Sequence, residues 1–224
     1  MSATDSPQVS RIVIADDDPL VRSGLKLLLG GSPEFDVIAE AADGREAIDV
    51  HATLRADLLL MDLRMPVLDG IAATAELKRL PHPPAVIVLT TFDADEYVVR
   101  ALGAGADGFL LKDTPPGDIV TAMRNVLSGQ PALSPSVTAA LIKQVVESGD
   151  DGRSDRAASA VRGLTGRERD VARSLAKGAS NAEIAAELYM SVATVKAHIS
   201  HIFSKLGAAN RVQVAIIMHD AGTG

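Results

Sequence analysis

Residues 58–62 read Leu-Leu-Leu-Met-Asp, four apolar residues followed by a single carboxylate. A second run, residues 86–89, reads Val-Ile-Val-Leu and is also continuously apolar. Strands at the centre of a parallel sheet have this composition because both of their faces are covered, whereas half-covered strands alternate. The two runs therefore predict central strands of a parallel sheet, with Asp62 at the carboxyl end of one of them.

Short apolar runs and helical patterns alternate outward from these two strands. Five strands are predicted, at Arg11–Ala15, Val37–Glu40, Leu58–Met61, Ala85–Leu89 and Gly108–Leu111. Amphipathic segments predict the helices between and after them, near Pro19–Leu29, Arg45–Leu54, Ile71–Leu80, Asp95–Ala104 and Pro116–Leu127. Strands that alternate with helices in this way indicate an α/β fold, a doubly wound five-stranded parallel sheet over residues 10–130.

Residues 131–160 read as a linker with one helix. The helix is predicted at Val137–Val146, and Ser148–Ser159 is rich in Gly, Asp, Ser and Arg, which predicts a flexible segment.

Residues 161–224 predict an all-α domain of four helices. The helices are predicted at Gly166–Lys177, Asn181–Leu188, Val192–Leu206 and Arg211–Ala221. Thr165 with Glu168, and Ser180 with Glu183, match the capping box that begins a helix. Only three residues separate the second and third helices, which is typical of a helix-turn-helix.

Charge and composition also distinguish the two parts of the chain. Residues 153–224 contain ten basic and six acidic residues, a balance of +4 within a net charge of −7, which leaves −11 for residues 1–152. The basic part is therefore a candidate for contact with a polyanion.

The absence of cysteine excludes disulfides and thiolate sites. Without an apolar run of the ~20 residues that a membrane span needs, and without a signal-peptide core at residues 1–10, we expect a cytoplasmic protein with no membrane partner.

Polar side chains follow four of the predicted strands where each strand ends. Asp16-Asp17-Asp18 follows the first strand and Asp62 the third, while Thr90 and Lys112 follow the fourth and fifth. The carboxyl ends of parallel strands meet at one edge of a sheet, so these groups should converge. Clustered carboxylates repel each other unless a cation such as Mg²⁺ is bound. An ionised aspartate can accept a phosphoryl group, whose oxygens a lysine and a hydroxyl would hold.

Four segments together resemble the receiver domain of response regulators: residues 12–22, 60–70, 89–92 and 108–113. The resemblance implies a flavodoxin-like sheet of strand order 2-1-3-4-5 and phosphorylation of Asp62 by a sensor histidine kinase. It implies direct Mg²⁺ ligation by Asp17, Asp62 and the backbone carbonyl of Arg64, with Asp16 acting through water. Thr90 and Phe109 would be the switch residues that respond to phosphorylation, and Asp18 falls at a variable position and reads as a helix cap.

Two departures from the common receiver pattern affect the expected behaviour. Lys112-Asp113 stands where Lys-Pro is frequent, which resembles the NarL/FixJ subgroup, and Phe109 lacks the hydroxyl of the frequent tyrosine. The positions that tune phosphate loss in the family hold Arg64 and Phe92, neither suited to orient water. We therefore expect slow autodephosphorylation and a regulator rather than an enzyme.

The third helix of the basic domain carries the features of a DNA-recognition helix. Val195, Ile199, Ile202 and Leu206 have the spacing of a buried stripe. The segments around residues 164–169, 181–185 and 193–198 resemble the LuxR-type helix-turn-helix, which implies binding of double-stranded DNA and regulation of transcription. The predicted DNA-contacting residues are Thr194, Lys196, Ala197, His198, Ser200 and Lys205. By the same resemblance Arg211–Ala221 forms a homodimer contact on activation, and RNA polymerase is a candidate partner.

Two other interpretations remain open from the residues alone. The Asp-x-Asp of Asp16 and Asp18 also occurs in haloacid-dehalogenase-like phosphatases, where Asp16 would be the nucleophile, but that interpretation leaves Asp62 and the basic domain without a role. A regulator whose receiver works unphosphorylated is the second alternative, which the complete set of strand-end residues disfavours.

Overall fold

A computed structural model of the chain describes residues 9–91, 95–133, 137 and 153–222. Its strands are β1 Ser10–Ala15, β2 Phe35–Ala41, β3 Leu58–Met61, β4 Ala85–Thr90, β5 Gly108–Leu111 and β6 Ala132–Leu133. All pairings are parallel, in the order β2-β1-β3-β4-β5-β6. The predicted strand order is confirmed, and β6 is added beside β5. A strand of two residues has no periodicity from which it could have been predicted.

Five helices flank the sheet along the chain. They are α1 Pro19–Gly30, α2 Gly44–Leu54, α3 Gly70–Leu77, α4 Asp95–Ala104 and α5 Pro116–Leu127. Asp18 caps α1 by accepting a hydrogen bond from the backbone N–H of Leu20, and Asp43 caps α2 in the same way, as helix N-termini require. The predicted helices are therefore confirmed, with α3 ending three residues earlier than expected.

The sheet is buried on both faces, as its apolar central strands predict. On one face Ile12, Ile14 and Leu60 pack with residues of α1 and α5. On the other, Val13, Leu59 and Met61 pack against α2 and α3. Burial of alternate residues of β1 and β3 on opposite faces fixes the sheet register, because a slip of one residue would exchange the two faces. The strand ends, and the polar residues that follow them, are positioned by this core.

The basic part of the chain folds into helices around a second core. They are α6 Arg153–Arg162, α7 Gly166–Ala176, α8 Asn181–Glu187, α9 Val192–Leu206 and α10 Arg211–Asp220. The four predicted helices, α7 to α10, are confirmed, and the capping boxes at Thr165 and Ser180 both form. Val171, Ile184 and Val195 lie at the centre of the core and are fully buried.

Helix α6 occupies most of the segment for which a flexible linker was predicted. Ala157 and Val161 are buried, and Val161 packs in the same core as α7 to α10. Polar residues dominate the segment, but these apolar residues lie four apart and so share one face of a helix. The helix predicted at Val137–Val146 lies, apart from Val137, outside the described residues. In the described part of the chain, every helix is too short or too polar to cross a membrane.

Candidate functional site

The carboxyl ends of β1, β3 and β5 bring two carboxylates and one ammonium group into contact. The backbone N–H of Asp62 donates to the carbonyl of Ala15 at 2.8 Å, which holds the two strand ends side by side. The Nζ of Lys112 lies 2.6 Å from Oδ2 of Asp16 and 3.4 Å from Oδ2 of Asp62. The convergence expected from the strand ends is therefore present.

Asp17 completes a group of three carboxylates. One carboxylate oxygen from each of Asp16, Asp17 and Asp62 lies within 4.8 Å of the others. Asp16 and Asp62 are buried, whereas Asp17 is exposed, so the cluster opens to solvent on one side. Three hard oxygen donors with an open side fit Mg²⁺, which keeps several waters and takes few protein ligands.

Burial controls the charge of this cluster. Desolvation raises the pKa of Asp62, the Lys112 ammonium opposes that rise, and the neighbouring Asp16 carboxylate reinforces it. Burial alone would lower the pKa of Lys112, but its hydrogen bond to Asp16 and the charge of Asp62 outweigh burial and raise it. Lys112 is therefore held as a cation, and it supplies the positive charge that the paired carboxylates require.

The loops that follow β1 and β3 fix the position of the carboxylates. A side chain at Gly70 would overlap the carbonyl oxygen of Asp62, so the close approach of α3 to β3 requires glycine. The Nη1 of Arg22 donates to the carbonyl of Asp16 at 2.6 Å. Sequence reasoning assigned no role to Arg22, because only the fold brings α1 back onto the end of β1.

A cleft of 540 Å³ adjoins the carboxylates and is lined by Asp17, Arg64, Met65, Tyr97, Arg100 and neighbouring residues. The guanidinium carbons of Arg64 and Arg100 lie 5.6 and 5.8 Å from the centre of the Tyr97 ring. Both distances are within the range of a cation–π contact. The open side of the cluster thus leads into a cleft with two cationic side chains, large enough to admit a phosphorylated group.

Thr90 and Phe109, the predicted switch residues, lie behind the carboxylates. Thr90 ends β4 and is buried, and its carbonyl accepts from the backbone N–H of Lys112 at 2.8 Å. Phe109 is fully buried in one cluster with Leu63, which follows Asp62, and with Leu102 of α4. The ring therefore connects the end of β3 with α4. Phe92, which was predicted to affect phosphate loss, lies outside the described residues.

Helix α9 presents the predicted recognition surface. Val195 and Ile202 are fully buried, and Ile199 packs against the same core, which confirms the predicted stripe. On the remaining surface Thr194, Lys196, Ala197 and Ser200 are exposed and His198 is half-buried. Ser191 caps the helix by accepting from the backbone N–H of Thr194 at 3.0 Å. The exposed residues thus include one cation and two hydroxyl groups between Thr194 and Ser200.

Lys205, also predicted to contact DNA, has another partner in this structure. Its Nζ lies 2.7 Å from Oε2 of Glu168, the buried member of the capping box of α7. The Lys205 hydrogen bond is the main reason that the pKa of Glu168 is lowered to about 2, with the backbone N–H of Thr165 also contributing. Lys205 therefore joins α9 to α7, and its contact with DNA stays a prediction.

The outer face of α9 is turned toward the α/β domain. A cavity of 260 Å³ separates Lys196, Ile199, Ser200 and Phe203 of α9 from Asp107, Val126, Gly129 and Gln130. A side chain at Gly129 would overlap the side chain of Asn181, so the two domains are in close contact beside this cavity. No sequence signal pointed to this arrangement, because it depends on docking of two separately folded units.

A carboxylate cluster at the end of a parallel sheet, joined to a helix-turn-helix, defines the class of receiver-linked DNA-binding regulators. Residues 12–124 match the response regulator receiver domain, and residues 162–218 match the bacterial regulatory proteins of the luxR family. The chain belongs to the NarL/FixJ-type response regulators.

Full-length relatives share both domains. Transcriptional regulatory protein LiaR of Bacillus subtilis is 37% identical over 93% of this chain and 96% of its own length. Nitrate/nitrite response regulator protein NarL of Escherichia coli is 34% identical over 93% of this chain and 94% of its own. The crystal structure of response regulator ChrA matches 96% of this chain and 99% of its own at 34% identity, with a TM-score of 0.52. The chain is thus a transcription-regulating two-component response regulator, and these matches disfavour the phosphatase alternative.

Proposed function

We propose that phosphoryl transfer from a sensor histidine kinase to Asp62 controls dimerisation and sequence-specific DNA binding by this regulator. The observation that carries the proposal is the position of Asp62, buried at the end of β3, where the ammonium of Lys112 contacts both its carboxylate and that of Asp16. Among the three clustered carboxylates, Asp62 is the one that shares a buried cluster with the switch residue Phe109 through its neighbour Leu63.

The carboxylate cluster is the proposed magnesium site. Asp17, Asp62 and the backbone carbonyl of Arg64 would hold the ion directly, and Asp16 would act through water. When bound, Mg²⁺ would neutralise the charge on the phosphoryl oxygens. Lys112 already contacts Asp62. Its ammonium group would bind an oxygen of the phosphoryl group on Asp62 and would give up its contact with Asp16.

The side chain of Thr90 would then move toward the phosphoryl group, and the ring of Phe109 would follow the movement of Thr90. Phe109 packs on α4, so a change in its position alters the packing of that helix. Arg64, exposed beside the cluster, is an unsuitable residue to activate water, so the protein would act as a long-lived switch with slow autodephosphorylation rather than as an enzyme.

Helix α9 would enter the major groove of double-stranded DNA, with Thr194, Lys196, Ala197, His198 and Ser200 toward the bases or phosphates. The structure of an RcsB–DNA complex matches 96% of this chain at 26% identity, with a TM-score of 0.56, which supports DNA as the partner. Helix α10 would form the homodimer contact, and RNA polymerase would be a partner at promoters. With DNA as its partner, the protein would act in the cytoplasm.

Mapping of the acyl phosphate by mass spectrometry tests the proposal. The full chain is incubated with acetyl phosphate and Mg²⁺, and we expect the label on Asp62. Asp62→Asn should abolish the label, whereas the matched control Asp18→Asn should keep it, because asparagine caps α1 as well as aspartate does. Label on Asp16 would contradict the proposal and restore the phosphatase interpretation.

A test in cells addresses the alternative in which the receiver works unphosphorylated. We expect Asp62→Asn to remove the response of the controlled promoters to the stimulus. Unchanged promoter output in the Asp62→Asn strain would favour regulation through protein contacts alone.

A further inference from the structure

The side chain of Arg22 joins α1 to the end of β1 and to β2. Its Nη1 donates to the backbone carbonyl of Asp16 at 2.6 Å, and its Nε donates to Oε2 of Glu40 at 3.3 Å. The Arg22 side chain is only 17% exposed, so most of it is shielded from solvent. Hydrogen bonds from a charged donor are stronger than those between neutral groups. Arg22 is therefore a firm connection between three elements of the receiver.

The carbonyl of Asp16 lies just beyond the ladder between β1 and β2. The backbone N–H of Asp16 still donates to the carbonyl of Ala41 at 3.1 Å, and Asp16 is buried, with an exposed fraction of 2%. A buried backbone carbonyl requires a donor. The guanidinium group of Arg22 supplies that donor at the point where the strand ends.

The peptide bond that begins at this carbonyl leads to Asp17. Because the peptide unit is planar, the direction of the Asp16 carbonyl constrains the orientation of the Asp17 N–H and the position of the Asp17 Cα. Arg22 thus holds the backbone from which the carboxylate of Asp17 extends.

Asp17 depends on its backbone more than the other two clustered carboxylates do. The carboxylate of Asp16 is held at both oxygens, by the backbone N–H of Asp18 at 3.0 Å and by Nζ of Lys112 at 2.6 Å. Asp62 also contacts Lys112. The carboxylate of Asp17 is exposed, and no hydrogen bond or ion pair to it is present in the described part of the chain. Its position therefore follows from the backbone conformation that Arg22 stabilises.

Glu40 offsets the charge of Arg22 beside the carboxylate cluster. An unpaired guanidinium group at this position would repel a divalent cation. Glu40 lies beside Ile14 in the register of β1 and β2, and its other oxygen, Oε1, lies 2.9 Å from Nζ of Lys26. The sheet thus places a carboxylate where it both neutralises and orients the guanidinium group of Arg22.

We propose that Arg22 and Glu40 form a positioning pair that holds the backbone of Asp17 in the geometry required for Mg²⁺ binding. This inference rests on the proposed function, because it takes the carboxylate cluster as the magnesium site. In this role Arg22 is not a ligand of the ion, since it acts through the carbonyl of Asp16. Removal of groups that orient metal ligands typically costs about 10- to 100-fold in metal affinity.

Titration with MgCl₂ alone measures this effect without any phosphoryl transfer. Amide chemical shifts of the isotope-labelled full chain, followed by NMR, give the dissociation constant for Mg²⁺. We expect Arg22→Leu to weaken binding about tenfold or more. Arg22→Lys should restore part of the loss, because an ammonium group can donate to the same carbonyl. Loss of a positive charge alone would tighten the binding of a cation, so weaker binding identifies a positioning role.

Lys26→Met is the matched control for the charge of Arg22. Lys26 is a second cation of α1 that pairs with Glu40, but only Arg22 of the two contacts the end of β1. Lys26→Met should therefore leave the affinity for Mg²⁺ unchanged or slightly raised. Glu40→Gln should weaken binding in the parent protein but change little in the Arg22→Leu protein, because the pair acts as a unit.

The thermal unfolding midpoint without Mg²⁺ is measured for each variant, and Arg22→Lys, which keeps the charge, serves if Arg22→Leu does not fold. Folded Arg22 variants that bind Mg²⁺ at least as tightly as the parent protein would overturn the positioning pair. Equal effects of Glu40→Gln in both backgrounds would overturn the role of Glu40.

The same measurements separate this inference from the proposed function. A parent protein that binds no Mg²⁺ would refute the proposed magnesium site and the positioning pair with it. Weaker Mg²⁺ binding by Arg22→Leu, together with an acyl phosphate found on Asp16, would retain the pair and refute the assignment of Asp62.

Discussion

The carboxylate site and the recognition helix differ in how complete each is within this structure. The first is assembled entirely from strand ends of one sheet, with Lys112 already placed between Asp16 and Asp62. The second has an intact helix, an intact core and exposed polar residues, yet its outer face is turned toward the receiver. The carboxylate site is thus complete within the fold of the receiver, whereas the surroundings of the recognition helix also depend on how the two domains are docked.

Loss of the cation in the carboxylate site should have the largest effect. Lys112→Met removes the ammonium that would hold a phosphoryl oxygen, and we expect the rate of Asp62 phosphorylation by acetyl phosphate to fall about 100-fold or more. The matched control is Lys26→Met, which removes a surface ion pair with Glu40 and should leave the rate unchanged. A Lys112→Met protein that is phosphorylated at the parent rate would show that the site does not depend on its preformed cation.

An intermediate effect is expected on the DNA side. Lys196→Ala should weaken binding of the phosphorylated protein to DNA by about 1–3 kcal/mol if the side chain reaches a base edge. If Lys196 contacts a phosphate instead, the slope of the logarithm of affinity against the logarithm of salt concentration should decrease in magnitude by about 1. Arg173→Ala removes another exposed cation, from α7, and serves as the control. Normal binding by Lys196→Ala would contradict the assignment of α9 as the recognition helix.

The smallest effect concerns Lys205, for which sequence and structure suggest different roles. The folded-state pKa of Glu168 is lowered to about 2 from an ordinary 4.5, so the stabilisation is complete above pH 4.5 and is lost as the pH falls toward about 2. Lys205→Met should reduce the free energy of unfolding at pH 7 by about 1 kcal/mol or less, because the pair is partly exposed, and should weaken this pH dependence. Chemical denaturation between pH 2 and 7 measures both.

DNA affinity distinguishes the two roles of Lys205. A Lys205→Met protein with parent stability at every pH but reduced DNA affinity would contradict the structural role and support the role predicted from the sequence.

Residues next to strands and helix starts were predictable because their positions follow from local patterns. Asp62 follows a continuously apolar run of the kind found in buried parallel strands, and Lys112 follows the last strand predicted from the same alternation of strands and helices. The recognition helix was predictable for a similar reason, since Val195 and Ile202 mark one buried face. Such patterns arise from the periodicity of a helix or strand, which can be recognised from the residues of that element alone.

Contacts between distant elements could not be predicted in this way. The side chain of Asn210 caps α10, as asparagine before a helix often does, but its hydrogen bonds to the carbonyls of Leu102 and Ala106 depend on where α4 lies after docking. Lys205 had the charge of a DNA contact, but its partner Glu168 is 37 residues earlier. In α6, the buried Ala157 and Val161 were too few among polar residues to predict a packed helix.

The central claim is that charge acquired by Asp62 makes the recognition helix available to DNA. The most direct test measures the dissociation constant of the full chain for a duplex selected from a randomised pool, with Mg²⁺ and with or without acetyl phosphate, for the parent protein and for Asp62→Asn. We predict that acetyl phosphate tightens binding by the parent protein about tenfold or more and leaves Asp62→Asn unchanged. Equal affinities with and without phosphodonor, in a parent protein shown to be phosphorylated on Asp62, would contradict the claim.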